Sequence, residues 1–223
     1  MITLQSVSKV YPTRRGQNKV LEDVSFTVRK GEHLGILGQN GSGKSTLIRL
    51  IAGAERPTTG TVTRNMSVSW PLAFGGAFQG SLSGVDNFNF ICRVYGVNPS
   101  EKLPFLYEFS ELGSYLREPL KTYSSGMFAR LAFAISISIE FDCFLIDEIV
   151  AVGDANFREK CFHELFVKRN DRAMIMVSHN DDYIRRHCTK FAVMTGGRLI
   201  PVASIDEAHK YFAQGPVFGR FTE

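Results

Sequence analysis

Residues 38–46 read Gly-Gln-Asn-Gly-Ser-Gly-Lys-Ser-Thr, which fits the phosphate-binding pattern G-x-x-x-x-G-K-[ST]. The glycines allow positive φ angles and a close approach of the backbone to a polyphosphate. The residue pattern predicts a short buried strand at 33–37 before this loop and a helix at 47–52 after it. Phosphates are then expected at a helix N-terminus, where the dipole and free N–H groups favour anions. The chain is therefore predicted to bind a nucleoside triphosphate.

Two side chains of this stretch have individual expected roles. Lys44 is expected to reach the β- and γ-phosphates, and the Ser45 hydroxyl is expected to bind magnesium. The residues predicted to bind ATP through this loop are Gly38, Gln39, Asn40, Gly41, Ser42, Gly43, Lys44, Ser45 and Thr46.

A second motif is an apolar strand that ends in two carboxylates. Residues 141–148 read Phe-Asp-Cys-Phe-Leu-Ile-Asp-Glu. In P-loop enzymes an aspartate at the end of a neighbouring parallel strand helps to hold Mg²⁺, a role that fits Asp147. Glu148 is expected to orient the attacking water or accept its proton, so it is the predicted general base.

Composition restricts the class of protein. The chain has 223 residues, of which 44% are hydrophobic and 22% charged, which predicts one globular α/β domain with a substantial core. The net charge is +4 and the basic pairs are scattered, so no nucleic-acid partner is expected. The four cysteines form no C-x-x-C pair and fit a reducing compartment. No secretion signal or membrane-spanning run is present, so a partner is expected to provide any membrane attachment.

The first half of the chain combines strands with an aromatic-rich helical region. Strands are predicted at 2–10, 20–28 and 61–63, with residues 12–19 as an exposed hairpin connection. Residues 70–84 show no regular period. Helices are predicted between 85 and 120, and eight of the forty residues from 84 to 123 are aromatic. This excess indicates either a partly aromatic core or an exposed docking surface.

In the second half, helices and strands are predicted to alternate. Helices are expected at 126–139, 154–169 and 181–187, and buried strands at 143–146 and 173–177. Ser204 and Glu207 predict a capping box that opens a terminal helix ending near 212, followed by a loose tail at 215–223.

Two further motifs are weak alone but become informative through their order. Residues 122–127, Thr-Tyr-Ser-Ser-Gly-Met, precede the helix at 126–139, and Ser178-His179 follows the strand at 173–177. Together with the phosphate loop and the Asp147-Glu148 pair, they make the chain resemble the ATP-binding cassette of an ABC transporter over nearly its whole length.

The resemblance implies a fold and a set of roles. The fold is an α/β P-loop NTPase domain spanning 1–223, with a mixed sheet, an N-terminal antiparallel β subdomain and an inserted helical subdomain at about 84–139. The implied roles, by residue, are adenine stacking for Tyr11, the signature for Ser124, Ser125 and Gly126, the D-loop for Asp154, and the switch histidine, which contacts the γ-phosphate, for His179. The signature acts on the nucleotide of a second chain, so a homodimer that sandwiches ATP and Mg²⁺ is expected.

Three positions depart from the family pattern. Ser125 and Met127 replace a glycine and the glutamine of the signature, and residues 151–154 read Ala-Val-Gly-Asp instead of Ser-Ala-Leu-Asp. The Q-loop glutamine is ambiguous, because Gln79 is available while the usual spacing points to Ala73.

These departures resemble the ATPases that export capsular polysaccharide in Gram-negative bacteria. The resemblance implies a peripheral subunit at the cytoplasmic face of the inner membrane, held by a polytopic permease and working with periplasmic and outer-membrane export components. The permease is expected to dock near residues 70–79. The carbohydrate-binding domain of related O-antigen ATPases is expected to be absent. O-antigen, teichoic acid, lipid or drug remain alternative cargoes, and a regulator without a transport role is a further alternative.

Overall fold

The computed structural model describes residues 1–14, 16–72, 76, 78–147, 154–178 and 180–213. The chain divides into two compact units. The first comprises Met1–Val68, Asp142–Glu148 and Asp171–Glu223, and the second comprises Ser69–Phe141 and Ile149–Asn170. The segment 84–139, predicted as a helical subdomain, falls within the second unit, whereas the predicted tail at 215–223 lies outside the described residues.

An antiparallel sheet forms part of the first unit. Its strands are β1 (Ile2–Thr13), β2 (Gly16–Val28) and β4 (Thr59–Arg64), in the order β2-β1-β4. The strands of the hairpin extend further than predicted, since Pro12 pairs with Gln17 and Thr13 with Gly16. Proline is tolerated there because the pairing of β1 with β4 ends at Ser8, so no neighbour requires an N–H from Pro12 on that side.

The second sheet of this unit is mixed, as predicted. Its strands are β3 (His33–Gly38), β5 (Val68–Pro71, which begins in this unit), β6 (Cys143–Asp147), β7 (Ala173–Val177), β8 (Lys190–Thr195) and β9 (Arg198–Val202). Their order is β5-β6-β7-β3-β8-β9, with β6, β7, β3 and β8 parallel and β9 antiparallel to β8. β5, β8 and β9 were not predicted from the sequence.

Three helices accompany these sheets: α1 (Lys44–Ala52), α6 (Asp181–His187) and α7 (Ile205–Ala213). The capping box of α7 is only partly as predicted. The Ser204 hydroxyl accepts a hydrogen bond from the Glu207 N–H, but the Glu207 carboxylate accepts from the N–H of Ala203, one residue before the cap. In the part of the chain that the structure describes, no helix is both long and apolar enough to cross a membrane.

The second unit is built mainly from helices. They are α2 (Gly84–Val94), α3 (Pro99–Ser110), α4 (Ser125–Ser138) and α5 (Ala155–Phe162), with short 3₁₀ turns at Gly113–Arg117 and Leu120–Thr122. The helix predicted at 154–169 changes type along its length, because α5 continues as a π-helical turn at His163–Val167.

Aromatic residues of the second unit serve both as core and as surface. Phe109 packs against Phe133 and Phe157, with ring centroids 5.9 and 5.3 Å away, and Phe88 is fully buried. By contrast, the Phe90 side chain on α2 is 56% exposed. The partly aromatic core is therefore confirmed, and a docking role for the exposed aromatic residues stays a prediction.

Trp70 is engaged inside the second unit. Its indole N–H donates to the Ser136 hydroxyl at 2.9 Å, and its ring lies 5.2 Å from Tyr95 and 5.5 Å from Phe141. Phe78, in the same predicted docking stretch, is half-buried against Phe128 at 5.8 Å. Trp70 therefore contributes to the packing of its own unit, and docking near residues 70–79 stays a prediction.

Candidate functional site: a phosphate-binding loop and two exposed helix starts

The carboxyl ends of three parallel strands bring the predicted site residues of the first unit to one edge of the sheet. β3 leads into the phosphate loop, β6 ends at Asp147, and Ser178 follows β7. In the register, Ile36 and Asp147 both pair with Val177, so β7 lies between β3 and β6. Asp147 thus ends the second strand from β3, with β7 between the two.

The phosphate loop is sterically restricted to glycine at two places. A Cβ atom added to Gly38 would lie 2.7 Å from both the Met194 carbonyl oxygen and the Ser42 hydroxyl oxygen. Gly43 has a φ of 109°, and a Cβ there would lie 2.9 Å from the Val20 carbonyl oxygen. Backbone from β2 and β8 therefore closes on this loop so tightly that a side chain at either position would displace it.

The Lys44 ammonium lies inside the loop. Its Nζ donates to the carbonyl oxygens of Gly38 and Gln39 at 2.8 and 2.9 Å, and the side chain is buried. α1 begins at this lysine, so the N–H groups of its first turn have no carbonyl acceptor within the helix. They point out of the helix at its N-terminus, which is the positive end of the helix dipole. This combination of a cation and backbone donors is suited to a polyphosphate.

Ser42 supplies an independent test of that fit. Its hydroxyl oxygen is buried, and it has no hydrogen-bond partner among the residues that the structure describes. A buried hydroxyl without a partner costs about 1–3 kcal/mol, which a phosphate oxygen in the loop would recover. The neighbouring Gln39, Asn40 and Gly41 are exposed, so the loop is open to solvent on that side.

Two oxygen-bearing side chains at this edge fit a magnesium site. The Ser45 side chain is exposed in the first turn of α1, and Asp147 is half-buried at the end of β6. Mg²⁺ prefers oxygen ligands and keeps waters or substrate phosphates in its shell. Within the described residues no group of three His, Cys, Asp or Glu side chains could hold a metal ion. A metal here would need phosphate oxygens of the nucleotide as additional ligands.

Glu148 and His179 lie outside the described residues, so their catalytic roles stay predictions. The residues that flank His179 are ordered by a local pattern of caps. Ser178 is buried and its hydroxyl accepts from the Asn180 N–H, while the Asn180 side chain accepts from the Tyr183 N–H and caps α6.

The predicted signature forms the start of α4 in the second unit. Ser124 is the N-cap residue, and its hydroxyl accepts from the Met127 N–H at 3.2 Å. Ser124, Ser125 and Gly126 are all exposed, and a Cβ added to Gly126 would meet no described atom within 4 Å. The N-terminus of α4 is therefore accessible to an anion from outside the chain.

Asp154 is the N-cap residue of α5. Its Oδ1 accepts from the Phe157 N–H at 2.9 Å, and its Oδ2 pairs with the Arg130 guanidinium at 2.6 Å. The backbone donor of Phe157, with Arg130 beside it, holds the pKa of this carboxyl below its ordinary value. Sequence reasoning assigned Asp154 to the D-loop but missed Arg130, which lies six residues after Ser124 in the sequence.

The Q-loop position is undecided between two residues. Gln79 has an exposed side chain, and its backbone is fixed by Asn87: the Gln79 N–H donates to Asn87 Oδ1 at 2.8 Å, and Asn87 Nδ2 donates back to the Gln79 carbonyl at 3.2 Å. Ala73, the alternative position, lies outside the described residues. The role of Gln79 stays a prediction.

Tyr11, the predicted adenine-stacking residue, is held by two charged neighbours. Its hydroxyl donates to Glu55 Oε2 at 2.5 Å, and the Lys9 ammonium lies 4.9 Å from its ring centroid. The hydrogen bond from Tyr11 is the main cause that holds the pKa of Glu55 below its ordinary value. Lys9 and Glu55 were not recognised from the sequence, since nothing in their spacing relates them to Tyr11.

Known proteins resemble this chain both in sequence and in fold. The family model described as ABC transporter matches residues 21–151. The capsule polysaccharide export ATP-binding protein CtrD of Neisseria meningitidis serogroup B is 56% identical over 97% of this chain and 100% of its own length. The ATP-binding protein BexA of Haemophilus influenzae is 55% identical over 95% of this chain and 98% of its own. A solved dimer of the ATP-binding cassette MJ0796, in a post-hydrolysis state with ADP and Pi, shares the fold with a TM-score of 0.76 at 19% identity, covering 89% of this chain and 96% of that one.

The unpartnered Ser42 hydroxyl predicts an unusual separation of stability from binding. In Ser42→Ala we expect an unchanged or slightly higher melting temperature without nucleotide, because an unsatisfied buried group is removed. The affinity for ATP should fall roughly five- to tenfold, because a donor to a charged phosphate is lost. Nucleotide-free thermal melts and ATP titrations measure the two effects. Unchanged ATP affinity would show that Ser42 does not contact the nucleotide.

Proposed function

Because the chain belongs to the ABC transporter family, we propose that it is the ATP-hydrolysing subunit that powers export of capsular polysaccharide across the inner membrane. ATP drives two copies together, hydrolysis releases them, and a membrane permease converts this cycle into polymer movement. The cargo assignment rests on one observation: CtrD, a capsule polysaccharide export protein by name, is 56% identical over 97% of this chain.

Capsular polysaccharide is favoured over the other cargoes because CtrD, named for its export, matches 97% of this chain and 100% of its own length. O-antigen, teichoic acid, lipid or drug remain the alternatives, since the permease and not the ATPase contacts the cargo. Deleting this gene in a capsulated host and measuring surface capsule tests the assignment. Intracellular accumulation of capsular polymer is the expected result, and normal surface capsule in the deletion strain would contradict it. A purely regulatory role is disfavoured because CtrD, at 56% identity, is named as an export protein.

The phosphate loop holds the substrate in this proposal. Lys44 turns from the Gly38 and Gln39 carbonyls toward the β- and γ-phosphates, and Ser42 donates its unpartnered hydroxyl. Ser45 and Asp147 are the residues that would hold Mg²⁺, which when bound offsets the charge that develops on the transferred phosphate. Tyr11, whose hydroxyl donates to Glu55 and whose ring lies beside the Lys9 ammonium, stacks on adenine in this proposal.

The second chain supplies the remaining groups. Ser124 and the N-terminus of its α4 stabilise the γ-phosphate held on the partner's phosphate loop, and Asp154 lies at the D-loop of the same interface. Glu148 orients the attacking water and His179 contacts the γ-phosphate. The exposure of Ser124, Ser125 and Gly126 supports this arrangement, because a phosphate held by another chain can reach the N-terminus of α4.

The role of Glu148 predicts a trapped state. Glu148→Gln should bind ATP normally, lose at least ~100-fold in turnover, and accumulate as a dimer with ATP, because binding groups stay while the base is lost. Lys44→Ala is the contrasting variant, in which ATP binding itself weakens. Steady-state hydrolysis and size-exclusion chromatography with ATP measure both. Wild-type turnover in Glu148→Gln would remove this residue from the mechanism.

The two-chain site predicts an effect of Gly126 that acts only in trans. Since a Cβ at Gly126 meets no described atom within 4 Å, Gly126→Asp should fold normally, and its carboxylate even suits a helix N-terminus. Facing a partner's γ-phosphate, the same charge should abolish ATP-driven dimerisation while the monomer still binds ATP. Gly126→Asn is the matched neutral control and should dimerise partially.

Mixing variants separates the cis and trans models. A Gly126→Asp chain with a Lys44→Ala chain leaves one composite site with both halves intact, so the mixture should hydrolyse ATP when neither variant alone does so. Loss of ATP affinity in the Gly126→Asp monomer would place this segment beside its own phosphate loop and contradict the two-chain model.

The membrane partner is proposed to seat on α2. Trp70 is occupied by its own unit, whereas Phe90 and Val94, four residues apart on one stripe of α2, are 56% and 60% exposed. Asp86 and Arg93 flank them on the exposed face. Two exposed apolar side chains in this setting suit an amphipathic segment of the permease, because burying each of them would contribute about 1.5–3 kcal/mol.

This surface predicts a variant that separates attachment from hydrolysis. Phe90→Asp should release the ATPase from membranes and stop export, while its melting temperature and basal hydrolysis stay near wild type because the side chain is exposed. Val167→Asp, at another exposed apolar residue of the same unit, is the matched control and should remain attached. Fractionation of cells that express each variant measures attachment. A membrane-bound Phe90→Asp that still exports polymer would exclude α2 as the seat.

A further inference from the structure

A chain of alternating charges runs through the second unit. Lys160 pairs with one oxygen of the Glu111 carboxylate, and Arg130 Nη1 pairs with the other at 2.6 Å. Arg130 Nη2 then pairs with Asp154 Oδ2, again at 2.6 Å. The guanidinium also lies over the Phe157 ring, with its central carbon 4.5 Å from the ring centroid. The positive charges of Arg130 and Lys160 thus balance the negative charges of the two carboxylates.

These ion pairs connect three helices, two of which begin at predicted functional motifs. Glu111 is the C-cap residue of α3, Arg130 lies in the second turn of α4, and Asp154 is the N-cap residue of α5. α4 begins at the signature, and Asp154 is the predicted D-loop residue. Arg130 is therefore the residue that directly connects the helix of the signature to the D-loop aspartate within one chain.

The guanidinium has properties that this connection requires. It is planar, and its two terminal nitrogens can hold two carboxylates in a fixed direction, which a lysine ammonium at the end of a flexible stem does not do. The Arg130 side chain is 17% exposed, whereas those of Glu111 and Asp154 are 42% and 62% exposed, so packing restrains the guanidinium more than it restrains either carboxylate. Phe157 below the ring plane restricts the guanidinium further.

We propose that Arg130 is a positioning residue, held by Glu111, which fixes Asp154 relative to the N-terminus of α4 so that the D-loop and the signature reach the partner's nucleotide together. The inference rests on the proposed two-chain ATPase. Arg130 touches neither phosphate loop nor nucleotide in this role. It acts through Asp154, whose pKa is held low by the Phe157 backbone donor and Arg130, so the carboxylate stays ionised.

The structure also indicates that the fold survives without Arg130. Asp154 keeps its hydrogen bond from the Phe157 N–H, so α5 keeps its N-cap, and Glu111 keeps Lys160 as an ion-pair partner. Loss of the guanidinium therefore leaves neither carboxylate without a partner. A positioning role therefore predicts that losing Arg130 changes function without a comparable change in stability.

The test compares Arg130→Lys with Arg185→Lys. Arg185 makes an exposed Arg–Asp bridge with Asp206 at 2.9 Å and provides the matched control. For Arg130→Lys we expect an unchanged ATP affinity of the monomer, a melting temperature close to that of the control, and a fall in kcat of at least ~10-fold, with weaker ATP-driven dimerisation in the Glu148→Gln background. The control should match wild type in all four measurements. A wild-type kcat and dimerisation in Arg130→Lys would overturn the proposal.

A second variant guards against a purely structural effect. Glu111→Gln leaves the Arg130–Asp154 pair in place but removes its other anchor, so kcat should fall less than in Arg130→Lys, and the double variant should be no worse than Arg130→Lys alone. Additive losses, or a loss of monomer ATP binding in either variant, would overturn the proposal in favour of a general structural role. If wild type itself fails to dimerise with ATP, the proposed function fails; a responsive wild type with unaffected variants contradicts only the role of Arg130.

Discussion

The close approach of backbone around the phosphate loop is the constraint on which the site depends. β3 is flanked on both sides by parallel strands, and its interior residues are buried, so the loop that follows it starts from a fixed point. Carbonyl groups of Val20 and Met194 then close on Gly43 and Gly38. The loop cannot relax outward without parting from β2 and β8. Its donors are consequently directed before any anion arrives, which is what preorganised binding requires.

The Lys44 side chain lies inside the preorganised loop. The ammonium binds two loop carbonyls in a buried position, so nucleotide binding replaces these contacts with stronger ones to phosphate rather than ordering a free side chain. Ser42 is the exception to this self-satisfaction, since its hydroxyl finds no partner in the described structure. The loop carbonyls accept hydrogen bonds from Lys44, but nothing described accepts one from Ser42. A bound polyphosphate would accept hydrogen bonds from both side chains.

The sequence predicted the parts of the fold whose signals are local. α6 and β7, marked by a cap and by continuous apolar residues, have the predicted bounds, whereas α1 begins at Lys44, three residues before the helix predicted at 47–52. β8 and β9 were missed although Gly196-Gly197 between them is a hairpin signal, because Arg198–Val202 is short and only partly buried. The order β6-β7-β3 could not be read either, since strand order depends on pairing between distant segments.

The candidate site shows the same division between local and distant information. Lys44, Ser124 and Asp154 follow from motifs along the chain. Arg130 and Glu111 do not, because 19 residues separate them and their relation to Asp154 arises only when α3, α4 and α5 pack. Trp70 is a further example, because Ser136, which accepts its indole N–H, lies 66 residues away in the sequence.

Asn87 connects the proposed permease seat to the Q-loop segment. It is 2% exposed, whereas Phe90 and Val94, three and seven residues further along α2, are 56% and 60% exposed. Its amide binds the backbone of Gln79 in both directions and the Ser83 carbonyl at 2.9 Å. A buried amide with its donors and acceptor satisfied resists displacement, because any shift leaves a polar group without a partner. A permease that moves α2 would therefore move Gln79 with it, so force at the surface reaches the backbone beside the predicted Q-loop through one fully bonded side chain.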